Sequence, residues 1–177
     1  MREGTLQLPP QLSTLAPEVD GMYYAIFWWS VILFVLIVGA MLFFVVKYRR
    51  RPGHEARPTG HSTLIEVLWT FAPLLLLAYF FHRGFTGYMD GVVAPANAID
   101  IRARAMQWNW EFTHQGEVRQ MNELTIPVGQ PVRMIMSSSD VLHAFFIPEF
   151  RVKKDVVPGM FTTLWFEATE TTEEPLT

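Results

Sequence analysis

The chain has 177 residues, of which 50% are hydrophobic and only 18% are charged. Soluble domains average about 25% charged residues, so this composition indicates that part of the chain lies in lipid. The formal net charge of −3 argues against nucleic-acid binding, which requires a basic surface. Because the sequence contains no cysteine, it excludes disulfides, thiolate metal sites and a cysteine nucleophile.

Two apolar segments are long enough to cross a membrane as helices. The first, residues 25–46, contains no charged residue, and as a helix it spans about 33 Å. The second, residues 64–83, has Glu66 near its start and Pro73, a predicted kink, inside it. A signal peptide for the first segment and a buried soluble helix for the second are the alternatives, and the lengths favour two spans.

The connection between these segments, residues 47–63, carries five lysines and arginines. By the positive-inside rule this loop is predicted to lie in the cytoplasm. Both termini are then expected on the outer side of the membrane. Residues 1–24 are predicted to be an outer tail.

Residues 95–177 are predicted to form an outer all-β domain. Apolar and polar residues alternate with period two in three stretches, which begin at Ile99, Val132 and Thr162. Turn residues at 127–129 and 158–159 separate these stretches, which favours an antiparallel arrangement. The domain is short for a closed sandwich, and the acidic residues 169–177 are predicted to be a frayed tail.

Three motifs in order carry a family resemblance. They are EVLWTFAP from Glu66, QWNWEF from Gln107, and SSDVLHAFFIP from Ser138 with KDVVPG following. Together they resemble subunit II of the haem-copper respiratory oxidases, the cytochrome c oxidase kind. The resemblance implies a cupredoxin-like outer domain, a role in proton-translocating electron transport in a bacterial-type inner membrane, and a subunit that is not catalytic alone. The implied partners are subunit I, subunit III, cytochrome c and the lipid bilayer, with no nucleic acid.

The resemblance also implies roles for individual residues. Glu66 would lie at a proton entrance, whereas the residues alone also allow a first-turn acid that favours the helix dipole. Trp108 and Trp110 would lie where electrons enter, although paired aromatics that share a strand face usually pack in a core. His143 would be a ligand of the dicopper centre CuA, whereas a lone histidine is ordinarily hydrogen-bonded.

An acidic docking face for a basic cytochrome c is a further expectation. Its candidate residues are Asp155, Glu149 and Glu111, and such charges mainly steer encounter. Ordinary solvated surface is the alternative, which the adjacent Lys153 and Lys154 favour.

The sequence departs from this family at the copper centre. CuA requires two histidines, two cysteines, a methionine and a backbone carbonyl, and the chain has no cysteine and no histidine after His143. As written, the chain is therefore not expected to bind CuA. Either the sequence is incomplete, as the missing final strand favours, or the chain is a copper-free scaffold subunit. The subunit II of a quinol oxidase, which also lacks CuA, is a third alternative that the context of His143 disfavours.

Overall fold

A computed structural model describes residues 4–53 and 60–172. Parts of the predicted tail 1–24, of the predicted loop 47–63 and of the predicted domain 95–177 therefore lie outside the described residues. The chain divides into two compact units, of which one is residues 22–84 and the other combines residues 1–21 with residues 85–177.

Two long helices contain the apolar segments. Helix α1 is Ala16–Lys47 and helix α2 is Thr63–Val92, and each is long and apolar enough to cross a membrane. Their large apolar side chains are mostly exposed, which suits contact with lipid. Helix α1 begins at Ala16, before the predicted span at residue 25, so part of the predicted tail is helical.

Among the residues that the structure describes, the other unit contains seven strands and one short 3-10 helix. The bounds are β1 (Ile99–Met106), β2 (Asn109–Thr113), β3 (Arg119–Met121), β4 (Pro131–Ser138), β5 (His143–Ile147), η1 (Pro148–Phe150), β6 (Val152–Val156) and β7 (Thr162–Glu167). Five strands form one sheet in the order β3-β2-β1-β4-β7, and β5 pairs with β6 in a separate hairpin.

The predicted antiparallel arrangement is wrong at the centre of the larger sheet. Strands β1 and β4 pair in parallel, with Ile101 opposite Met134 and Ala103 opposite Met136. After the β2–β3 hairpin the chain returns to the start of β1 before it enters β4, so the two strands run in one direction. Period-two alternation identifies a strand and its buried face, but it does not encode the direction of its neighbour.

Alternate residues of the central strands form the core, as the sequence predicts. Ile101, Val132, Met134 and Phe166 are almost completely buried. The η1 residue Phe150 packs against Phe166 with ring centroids 5.2 Å apart. These contacts join the five-stranded sheet to the segment that connects β5 with β6.

Part of the predicted N-terminal tail belongs to the β domain. Leu12 is 4% exposed, and its backbone N–H donates to the carbonyl oxygen of Glu149 at 3.1 Å. The Ser13 hydroxyl donates to the carbonyl oxygen of Phe150 at 2.8 Å. Thr169, in the predicted frayed tail, donates its N–H to the carbonyl oxygen of Leu12. The sequence does not predict this pairing, because both segments lack the alternation of apolar and polar residues that identifies a strand.

Candidate functional site

The tight turn between β1 and β2 presents a large exposed aromatic side chain. Gln107 and Trp108 form this turn, and Trp108 is 88% exposed. Trp110, by contrast, lies on β2 and is half-buried. The prediction that the two indoles share a strand face is wrong, because β2 begins at Asn109 and Trp108 precedes it.

Trp110 belongs to an aromatic cluster beside the turn. Its ring stacks on Phe112 with centroids 6.2 Å apart and meets Phe145 edge-on at 5.7 Å. It also meets the His143 imidazole edge-on at 5.9 Å. The structure therefore assigns Trp110 to packing around His143 and Trp108 to the surface.

His143 begins β5, and a carboxylate from the preceding loop holds its ring. Asp140 Oδ1 lies 2.7 Å from His143 Nε2, and the histidine side chain is only 15% exposed. The other oxygen, Asp140 Oδ2, accepts the backbone N–H of Gln107 at 2.6 Å. One side chain thus contacts both the imidazole and the turn that presents Trp108.

The hydrogen bonds to Asp140 also favour its ionised form. The contact with His143, together with the backbone N–H of Gln107, holds the pKa of Asp140 well below its usual range. The carboxylate is therefore ionised at neutral pH and acts only as an acceptor.

The loop that carries Asp140 is itself fixed to β1. Ser139 donates its backbone N–H to the carbonyl oxygen of Ala105 at 3.0 Å, and its hydroxyl reaches the same oxygen at 3.1 Å. Asp140 donates its own N–H to the Ser138 hydroxyl at 3.2 Å. Sequence reasoning assigned no role to Asp140, although a carboxylate three residues before a candidate ligand histidine can hold the imidazole by a hydrogen bond.

The three predicted acidic docking residues lie on different elements. Glu111 on β2 pairs with Arg119 at 3.1 Å, and Asp155 is exposed on β6. Glu149 lies in η1, and its Oε2 atom is buried without a hydrogen-bond partner among the described residues. No ion pair or hydrogen bond joins the three carboxylates within the part of the chain that the structure describes.

Glu66 lies in the other unit, in the first turn of α2. Its Oε1 atom is 2.8 Å from His61 Nε2, and the two side chains are 40% and 75% exposed. The carboxylate and the imidazole form a polar pair at the start of an apolar helix.

The residues present do not fit a dicopper centre. Nε2 of His143 is hydrogen-bonded to Asp140, so Nδ1 is the ring nitrogen that remains available to a metal. Within residues 4–53 and 60–172, no group of three or more His, Cys, Asp or Glu side chains is arranged to hold a metal ion. A single imidazole without thiolates does not supply the ligand set that CuA requires.

Two helices that can cross a membrane, together with a β domain, define the class of protein: a membrane protein with a β domain outside the bilayer. Two family models match the chain: the transmembrane domain of cytochrome c oxidase subunit II over residues 2–81, and the periplasmic domain of the same subunit over residues 106–173. The chain belongs to the cytochrome c oxidase subunit II family, which confirms the predicted family. The predicted architecture of two apolar helices followed by a β domain is also confirmed.

Individual relatives agree with this assignment. Cytochrome c oxidase subunit 2 of Thermostichus vulcanus is 28% identical over 96% of this chain, and that of Alkalihalophilus pseudofirmus is 33% identical over 79%. This chain spans 68% and 44% of the length of these two relatives. The crystal structure of the periplasmic domain of subunit II of cytochrome oxidase of Bradyrhizobium japonicum is 29% identical, covering 45% of this chain and 70% of that one, with a TM-score of 0.43.

Proposed function

We propose that this chain serves as subunit II of a haem-copper respiratory oxidase. Its two helices hold it in the membrane beside subunit I, and its β domain meets cytochrome c on the outer side. Family membership and the two apolar helices support this role. The basic residues that follow α1 support a cytoplasmic loop, with the start of α1 and the end of α2 on the outer side.

The exposed indole of Trp108 is the observation that carries the docking part of the proposal. It is 88% exposed on a short turn that hydrogen bonds hold in place. A fixed, exposed indole supplies contact area to a partner at low entropic cost, and it offers a short route for electron tunnelling. Acidic side chains on the same domain, including Asp155, would steer a basic cytochrome c towards it.

Equilibrium binding of cytochrome c to the full chain in lipid nanodiscs tests this assignment. Trp108→Ala is expected to weaken binding about tenfold or more, as removal of a central interface tryptophan does. Val118→Ala is the matched control, because Val118 is 59% exposed and lies beyond the opposite end of β2. Equal affinities for the wild-type chain and Trp108→Ala would contradict the docking role.

Electron acceptance through CuA is the part of this function that the residues present do not support. They supply one imidazole and no thiolate, so no electron-transfer step is assigned to a copper centre formed by them. The docking and proton roles do not depend on the missing ligands. A second candidate, with which the ligands present are compatible, is a copper-free subunit that stabilises subunit I.

Assembly and copper content distinguish the two candidates. The scaffold candidate predicts that deletion of this chain lowers the amount of assembled subunit I, and that the purified complex contains no copper bound to this chain. The electron-transfer candidate predicts two coppers and a near-infrared band in a complete subunit II that contains this sequence.

Glu66 is proposed to lie at the entrance of a proton path into subunit I. A carboxylate at the start of an apolar helix, paired with His61, can take a proton from the cytoplasmic side and pass it on. Turnover of the assembled oxidase with Glu66→Gln tests this role.

A further inference from the structure

We infer that Asp140 is a positioning residue, which holds the Trp108 turn and the His143 imidazole in one fixed arrangement. This inference deepens the proposed function, and its part that concerns the docking of cytochrome c rests on that function. The structural part, the coupling of the turn to the imidazole, stands on contacts within the β domain alone.

The two oxygens of Asp140 serve different partners. Oδ2 accepts the Gln107 N–H at 2.6 Å, whereas Oδ1 contacts His143 Nε2 at 2.7 Å and accepts the Val141 N–H at 2.7 Å. A carboxylate provides two acceptor atoms, but an asparagine provides one acceptor and one donor. Asparagine at this position therefore sets its NH2 group against either the Gln107 N–H or the Val141 N–H, both of which are donors.

The neighbouring contacts show which aromatic groups would respond. On the β1 side of the turn, Gln107 directly precedes Trp108. Loss of the hydrogen bond from the Gln107 N–H to Asp140 therefore frees the backbone that carries the exposed indole. On the β5 side, the His143 ring lies 5.9 Å from the Trp110 ring. Loss of the bond to Nε2 lets the imidazole rotate against Trp110.

The rest of the site is held independently, so the effect should remain local. Ser139 keeps its two hydrogen bonds to Ala105, and the Trp110 N–H keeps its 2.7 Å bond to Asn122 Oδ1. Asp140 itself is only partly buried, with a side chain that is 28% exposed. We therefore expect the Asp140→Asn variant to fold.

Fluorine NMR of the full chain in nanodiscs, labelled with 5-fluorotryptophan, tests the coupling directly. The chain has six tryptophans, and single Trp→Phe variants assign their resonances. In Asp140→Asn the Trp108 and Trp110 resonances should both shift or broaden. The Trp165 indole N–H donates to the carbonyl oxygen of Asp90 at 2.9 Å, a contact that does not involve Asp140. The Trp165 resonance should therefore not change, and an unchanged resonance indicates an intact fold.

Glu117→Gln is the matched control, since it removes the same charge from the turn at the other end of β2. It should leave both resonances unchanged. If Asp140→Asn alters the Trp165 resonance, the Asp140→Glu variant is used in its place. Its longer side chain keeps the charge but cannot reach both partners at the original distances. Unchanged Trp108 and Trp110 resonances, or a change in only one, would overturn the inference.

Cytochrome c binding to the same variants separates the inference from the proposed function. Asp140→Asn should weaken binding roughly threefold to tenfold, as the loss of one well-placed hydrogen bond does, and Glu117→Gln should change it less than about twofold. If both resonances shift but the affinity of Asp140→Asn equals that of wild type, the positioning role stands and docking at Trp108 is contradicted.

Discussion

Arg151 and Asp20 form a buried ion pair between residues 131 positions apart. The guanidinium donates from Nε to Oδ1 at 2.7 Å and from its terminal nitrogen to Oδ2 at 2.9 Å. Both side chains are less than 10% exposed. The same guanidinium donates to the carbonyl oxygens of Pro9 and Pro148, at 2.7 and 2.6 Å. Arg151 thus joins the N-terminal segment and the first turns of α1 to the β5–β6 hairpin.

Arg151→Ala should lower the free energy of unfolding of the β domain by about 3–5 kcal/mol, because it leaves the Asp20 carboxylate buried without its partner. Denaturant unfolding of the full chain in detergent, followed through the environment of Trp165, measures this change. The control is Arg133→Ala, which breaks an ion pair with Asp100 whose side chains are 46% and 41% exposed. That exposed pair should contribute about 1 kcal/mol or less. Equal effects would contradict the structural role of Arg151.

Phe166→Ala should lower the free energy of unfolding by about 3–5 kcal/mol, because it leaves a cavity among Phe145, Phe150 and the sheet. Phe166 is completely buried, whereas Phe161, just before the same strand, is 75% exposed. Phe161→Ala should therefore change the unfolding midpoint very little. The same denaturation experiment compares the two, and similar midpoints would show that the core is not centred on Phe166.

Glu66→Gln should slow oxidase turnover by at least about tenfold while leaving cytochrome c binding unchanged, because it removes a proton-accepting carboxylate. Steady-state oxygen consumption of the assembled complex measures the rate. Glu18→Gln is the matched control, since Glu18 is the acid in the first turn of α1, as Glu66 is in α2. If the two variants lose the same activity, Glu66 acts only on the helix dipole.

The 177-residue chain, purified and supplied with copper, should show no near-infrared mixed-valence band. The sequence contains no cysteine, and thiolates are the ligands that bridge and delocalise charge in such a centre. Optical titration with copper measures the band. Its appearance at stoichiometric copper would contradict the assignment of His143 as an isolated ligand.

The sequence predicts the strands that carry the strongest alternation, because one buried face imposes period two. Ile101, Ala103 and Ala105 are buried while Arg102 and Arg104 are exposed, as expected for β1. Such local patterns carry no information on long-range pairing. They therefore miss the parallel pairing of β1 with β4 and the contact of Arg151 with Asp20.

In the candidate site, too, the sequence predicts local features but not long-range contacts. Its motifs single out Trp108, Trp110 and His143, but only the structure separates the exposed indole from the packed one. The tight turn at Gln107 and Trp108 lies inside a segment whose aromatic spacing is typical of a continuous strand. The role of Asp140 depends on a bond to an amide 33 positions away, which no local pattern encodes.

Native mass spectrometry of the complex solubilised from source membranes tests whether this chain is a subunit II. We expect an assembly in which one copy of the chain is bound to a larger haem-containing membrane subunit. Recovery of the chain alone, or only with partners that contain no haem, would contradict it.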